Sequence, residues 1–152
     1  MSFRTESRLK MASSVDDAWA YLCDVARWPE WAPTVLEARI RAGAAFEPGA
    51  RIDQRAKGLF GTSRGRSQDV TVVEAPHSMA FAGPLGTSAA RWGMEFVPID
   101  DEHTDATMWI EVDLKGVMRA IPSGPFKARI QRVSDLEMVA IKAAIESARR
   151  IA

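Results

Sequence analysis

Residues 126–151, FKARIQRVSDLEMVAIKAAIESARRI, place apolar side chains at helical spacing. Phe126, Ile130, Val133, Leu136, Ala140, Ile141, Ala144 and Ala148 form the expected stripe, so the stretch reads as one long amphipathic helix. About 25 residues at ~1.5 Å each extend roughly 38 Å, enough to cross a whole sheet. Pro122-Ser123-Gly124-Pro125 is the break that precedes it.

Upstream, residues 34–114 read as strands and turns. Leu36, Ala38 and Ile40 alternate with Glu37, Arg39 and Arg41; Ile52, Gln54 and Ala56 alternate with Arg51, Asp53, Arg55 and Lys57. Further strands are expected over 66–74, 78–82, 88–97 and 104–114, separated by Gly- and Pro-containing turns. Trp92, Met94 and Phe96 oppose Arg91 and Glu95, and Met108, Ile110, Val112 and Leu114 oppose Glu111 and Asp113. A period of two with one wet face describes half-buried antiparallel strands. Phe3 to Met11 alternates in the same way. Two overlapping Ser-x-x-Asp starts, Ser13/Asp16 and Ser14/Asp17, then open a short helix over Val15–Cys23. Arg27-Trp28-Pro29-Glu30-Trp31-Ala32-Pro33 ends it.

With 152 residues and neither repeat nor linker, one domain over 1–152 is expected. Twenty Lys plus Arg balance twenty Asp plus Glu, which argues against a basic nucleic-acid binder. Charge is nevertheless segregated: seven basic and two acidic residues lie between Arg39 and Arg66, seven acidic and no basic between Glu95 and Asp113. Cys23 is the sole cysteine, so no intrachain disulfide forms and a reducing compartment fits. The first ten residues have no signal-like apolar core and no stretch reaches membrane-spanning length. The expectation is a soluble cytoplasmic domain, monomeric or homodimeric, with no integral membrane segment.

The order strand, short helical pair, six antiparallel strands, long C-terminal helix resembles the helix-grip fold of the START-like (SRPBCC) superfamily. Ser14-Val15-Asp16-Asp17-Ala18-Trp19, the Asp24–Trp31 stretch with its aromatic-Pro and Trp elements, Val73-Glu74-Ala75-Pro76 and the helical 135–146 segment carry the resemblance. The branch it looks most like is the polyketide cyclase/dehydrase-like group. The resemblance implies an α+β fold: a seven-stranded curved antiparallel sheet wrapped around the long helix, with two short helices between strands 1 and 2. First and last strands would pair, setting Arg4, Arg8 and Lys10 against Glu111 and Asp113 on the outer surface.

The resemblance also implies an apolar pocket between sheet and helix. Parity turns Ile52, Gln54, Phe81, Trp92, Met94, Phe96, Met108, Ile110 and Val112 inward. Expected ligand contacts are Gln54, Arg66, Phe81, Trp92, Met94, Met108 and Ile110. A buried Gln54 amide needs a partner from backbone, water or ligand, since leaving it bare costs about 1–3 kcal/mol. Arg66 and Gln68 share one parity of their strand, Ser67, Asp69, Thr71 and Val73 the other, and the pattern leaves open which faces in. If inside, Arg66 is the group to grip a carboxylate, enolate or phosphate. Leu59 and Phe60, set between glycines, either fold over the pocket mouth as a lid opposite Leu85 and the 117–121 turn, or pack back on their own strand ends.

No metal site or cofactor is expected: His77 and His103 sit in turns, and no phosphate loop, nucleophile elbow or HExxH occurs. Cys23 on its amphipathic helix reads as a small core residue. Three functions remain in play. The first is a binder of an apolar or amphipathic small molecule such as a lipid, polyketide-like aromatic or isoprenoid. The second is a cyclase or dehydratase in which Arg66 or Gln54 stabilises an enolate; catalytic residues are unknown, and the lack of an evident buried base favours the binder. The third is an interaction module with a filled core.

Overall fold

A computed structural model describes residues 2–41, 45–57, 63–85 and 87–151. Seven strands, β1 (Ser2–Met11), β2 (Val35–Ile40), β3 (Arg51–Lys57), β4 (Ser63–Glu74), β5 (Ser78–Leu85), β6 (Ser88–Asp100) and β7 (His103–Asp113), form one antiparallel sheet. Its order is β1-β7-β6-β5-β4-β3-β2, a meander in which only β1 joins out of sequence. Helix α1 (Val15–Cys23) and a 3-10 turn (Val25–Glu30) connect β1 to β2; the long helix α2 (Ser123–Ile151) closes the chain. This is the helix-grip arrangement.

Local chemistry accounts for the ends. The Ser14 hydroxyl accepts the Asp17 N–H at 3.2 Å, so the second of the two overlapping caps is the one used. Helix α2 begins at Ser123, three residues earlier than expected, because Pro125 falls in the first turn, where its missing N–H has no partner to lose. Strand β5 runs to Leu85 rather than Ala82: the β4–β5 ladder stops at Asp69↔Ala82, so Pro84 forfeits no bond to β4 while pairing with Ala89 of β6.

Two bulges reset parity. The shift between Val35 and Glu37 buries Val35 and leaves Leu36 37% exposed, the reverse of simple alternation. The shift between Val70 and Val72 turns Val70 and Val73 to the core from what looked like opposite faces. The largest correction concerns α2. Ser134, Met138, Ile141 and Ile145 are buried, whereas Leu136 of the expected stripe is 64% exposed. Helix α2 carries apolar residues on two sides, and only packing against the sheet chooses between them.

Outside the sheet, Glu111 of β7 accepts Arg4 at 2.7 Å and Arg91 at 2.5 Å, and Asp105 accepts Arg8 at 2.9 Å. Trp109 lies under both Arg4 and Arg91, at 4.9 and 6.0 Å. Asp113 pairs instead with Lys115, and Lys10 stands opposite Asp105 in register. Beneath Trp109, Gly93 is a packing requirement: a Cβ there would stand 2.5 Å from the Met79 carbonyl oxygen and 2.6 Å from the indole. Gly93→Ala is therefore expected to destabilise by about 1–3 kcal/mol in a urea titration. Gly124→Ala, with open space around it in α2, should be neutral or stabilising by up to about 1 kcal/mol. Equal effects of the two changes would refute this packing account.

Candidate functional site

Between the sheet and α2 lies a cavity of about 260 Å³. Its position follows from the β4–β5 ladder. Beyond Asp69↔Ala82 these strands no longer pair with each other, while β4 stays bonded to β3 and β5 to β6. Arg66 to Gln68 and Gly83 to Leu85, the parts of β4 and β5 that are not paired with each other, line the cavity. Trp28, Trp31, Val35, Trp92, Met108, Ile110, Ile130 and Val133 supply apolar wall.

Aromatic rings frame one side. Trp92 stacks on Phe81 at 4.3 Å with 21° between planes, and Trp28 meets Trp92 and Phe81 edge-on at 5.5 and 5.4 Å. The Trp28 indole N–H donates to the Leu22 carbonyl at 2.9 Å, tying the end of α1 to this cluster.

The polar wall is narrow. Gln54 and Arg66 are register partners across β3 and β4, and Arg66 Nε donates to Gln54 Oε1 at 2.7 Å. Arg66 is thus the partner that the buried Gln54 amide requires. The Trp92 indole donates to Gln68 Oε1 at 2.5 Å, which answers the parity question: Arg66 and Gln68 both line the cavity. From the helix side comes Glu137. Burial pushes its carboxyl up to about 7, only partly opposed by the Arg66 charge. Although much of Arg66 is exposed, desolvation lowers its pKa and Glu137 pulls it the other way. Among the described residues no hydrogen bond or ion pair engages the Glu137 carboxyl.

Six of the residues expected at the site, Gln54, Arg66, Leu85, Trp92, Met108 and Ile110, line the cavity. Phe81 and Met94 do not: both are 0% exposed and belong to the packed core. Phe81 lies beneath Trp92, and the Met94 end of the sheet is filled by α1, whose Trp19 meets Phe96 at 6.3 Å. Leu59 and Phe60 lie outside the described residues. Cys23 is half-buried, and burial raises its thiol to about 11, so it stays protonated. His103 is engaged by Asp100 at 2.9 Å in the β6–β7 turn.

Glu137 was absent from the sequence-based expectation, which found no buried base. Its signal is positional: it stands seven residues after Ile130 and four before Ile141, on the inward side of α2. A carboxylate at that phase, among residues that pack against a sheet, marks either a pocket or a buried pair.

A family model described as polyketide cyclase / dehydrase and lipid transport matches residues 3–146. Among curated proteins, none matches this chain by sequence. Solved structures share the fold at low identity. A START superfamily protein from Mycobacterium smegmatis aligns over 95% of this chain and 97% of its own, at 14% identity and TM-score 0.73. The Zhui aromatase/cyclase from Streptomyces sp. R1128 aligns over 100% and 97%, at 15% identity and TM-score 0.74. The di-domain ARO/CYC StfQ of the steffimycin biosynthetic pathway aligns over 98% of this chain and 52% of its own, at 16% identity and TM-score 0.76. At these identities the likeness speaks to fold alone.

Proposed function

Because the chain belongs to the polyketide cyclase / dehydrase and lipid transport family, we propose that its cavity binds a compact amphipathic small molecule. The observation that carries this reading is the cavity itself, walled by Trp, Met, Ile and Val side chains and carrying among its described lining residues two charged groups, Arg66 and Glu137, beside Gln54 and Gln68. Its volume of about 260 Å³ lies near the lower end of the roughly 300–1,000 Å³ usual for small-molecule sites. That size favours a fused-ring or isoprenoid-sized ligand over a long-chain lipid. Apolar burial at about 25 cal/mol per Å² supplies affinity, and Arg66 orients an oxygen-bearing end. An unfilled cavity also speaks against the filled-core interaction module.

Native mass spectrometry of the purified protein, followed by denaturing extraction, tests the reading directly. A stoichiometric passenger of ring type supports it. In parallel, Arg66→Met should weaken a naphthol probe about tenfold, one charged hydrogen bond, and leave naphthalene unchanged. A protein that carries nothing and binds neither probe refutes the proposal.

One observation favours a second, enzymatic reading, a cyclase or dehydratase of polyketide-like substrates. Glu137, poised near neutrality opposite a guanidinium, has the acidity that proton transfer at carbon needs. In that reading its carboxylate takes a proton from a carbon between two carbonyls, and Arg66 holds the enolate oxygen. The enolate carbon then attacks a second carbonyl, and Glu137 returns the proton to the new alkoxide. Dehydration follows when the Glu137 carboxylate takes the remaining proton from the adjacent carbon and passes it to the leaving hydroxyl, so that the C–H and C–O bonds break, a carbon–carbon double bond forms and water departs.

A further inference from the structure

The polar side chains that the sheet turns into the cavity share one property. Gln54, Arg66 and Gln68 sit together there, Gln54 opposite Arg66 in the β3–β4 register and Gln68 two residues further along β4. Gln54 Oε1 accepts Arg66 Nε at 2.7 Å, and Gln68 Oε1 accepts the Trp92 indole N–H at 2.5 Å. The chemistry of the partners fixes both amide orientations. A guanidinium and an indole can only donate, so each must meet the amide oxygen, and each amide nitrogen points elsewhere.

Each amide oxygen is thus engaged by an internal bond, and donors are what remain. Gln54 Nε2, Gln68 Nε2 and both Nη atoms of Arg66 have no acceptor among the described residues. Gln54 is 5% exposed, so its amide has little access to bulk water. A buried donor without an acceptor is costly, and here the acceptor must come from the contents of the cavity. From α2, Glu137 is the one acidic side chain among the described lining residues.

We propose, on the basis that the cavity binds a small molecule, that its ligand is a compact cyclic monocarboxylic acid. The acid is bound as its carboxylate, one oxygen on Arg66 Nη and the other on the Gln54 and Gln68 amides. A carboxylate is acceptor-only, so it serves all three side chains and brings no proton that needs an acceptor of its own. A hydroxyl in the same place also accepts, but its O–H then points at donors. An ammonium meets Arg66 and no free side-chain acceptor on the sheet. A phosphate suits the donors, yet its second charge has only one guanidinium to offset it, beside Glu137. Burial keeps Glu137 protonated up to about pH 7. On the acid side of neutrality a bound carboxylate therefore meets a neutral acid and not a like charge.

Titration at about pH 6.5, where a carboxylic acid is ionised, with four probes of one ring system tests this: naphthoate, naphthylmethanol, naphthyl phosphate and naphthalene. Naphthoate should bind about tenfold or more tightly than naphthylmethanol, the worth of one charge-assisted hydrogen bond, and more tightly than the phosphate. Gln54→Glu and Gln68→Glu keep the oxygen that Arg66 or Trp92 needs and replace the free donor with a second acceptor. Each should weaken naphthoate about tenfold or more and leave naphthalene unchanged, which also reports an intact cavity. Equal binding of naphthylmethanol and naphthoate by the parent overturns the proposal, as does tighter binding of the phosphate. Undiminished naphthoate affinity in both variants, with naphthalene still bound, overturns it too. Should the variants not fold, the parent's ranking of the probes decides alone. Naphthalene binding without preference for the acid defeats only the carboxylate assignment; a parent that binds none of the four defeats the ligand-binding reading with it.

Discussion

Replacing Trp28 with alanine lowers the free energy of unfolding by about 3–5 kcal/mol, the usual cost of deleting a fully buried large aromatic. Trp28 is 1% exposed and is the point at which three parts of the fold meet. Its ring contacts Phe81 of β5, Trp92 of β6 and, at 5.8 Å, Trp31 beyond the 3-10 turn. Its N–H holds the Leu22 carbonyl at the end of α1. Alanine removes the rings' common neighbour and leaves that carbonyl without its partner. With total stability of domains this size at about 5–15 kcal/mol, the loss takes a substantial share of the margin. Urea titration measures the loss as a lower midpoint at unchanged slope. A loss under about 1.5 kcal/mol would mean that the site collapses around the gap, and that Trp28 is wall rather than keystone. Because Trp28 also lines the cavity, affinity for a naphthalene probe should fall in the same variant.

The second large effect belongs to Glu137. Burial raises its carboxyl from an ordinary 4.5 to about 7, so the folded protein keeps a proton that the unfolded chain has released between those values. At ~1.4 kcal/mol per tenfold, the difference is worth about 3 kcal/mol. For a raised folded pKa the contribution is fully present below about pH 4.5 and is lost as pH rises through about 7. Glu137→Gln, neutral at every pH, should match the parent near pH 4.5 and exceed it by about 2–3 kcal/mol at pH 8. Other titrating groups are common to both proteins, so subtracting one stability–pH profile from the other isolates this carboxyl. Parallel profiles would show that Glu137 is solvated and would remove the basis for acid–base chemistry in the cavity. If the protein is an enzyme, the same substitution abolishes the limb of its pH–rate profile near neutrality.

Much of the fold was legible locally. Helix α1 was readable from its cap and apolar spacing, and the strands from alternation, because caps and a period of two act within a few residues. Pairing β1 with β7 also set Arg4 against Glu111, as the family resemblance implied. The site was legible where strand parity ran unbroken, as for Gln54, Trp92, Met108 and Ile110. It was illegible at Phe81 and Met94, since inward-facing means cavity at one end of the sheet and core at the other. Which end is which depends on where α1 lies.

The sequence by itself determined the elements, their order, the wet and dry faces of most strands and, through the family resemblance, the helix-grip architecture. The tertiary structure alone decided three things. The β3–β4 register, which sets Arg66 opposite Gln54 and Gln68 opposite Ile52, determined that Arg66 and Gln68 look inward. The rotation of α2 buried Met138, Ile141 and Ile145 and left Leu136 and Val139 in water, although periodicity suits either side. That same rotation carried Glu137 into the cavity beside Arg66. The physical reason is common to all three. Periodicity is a property of one element, whereas facing is a relation between elements, and a bulge or a turn of a helix changes it without changing the pattern.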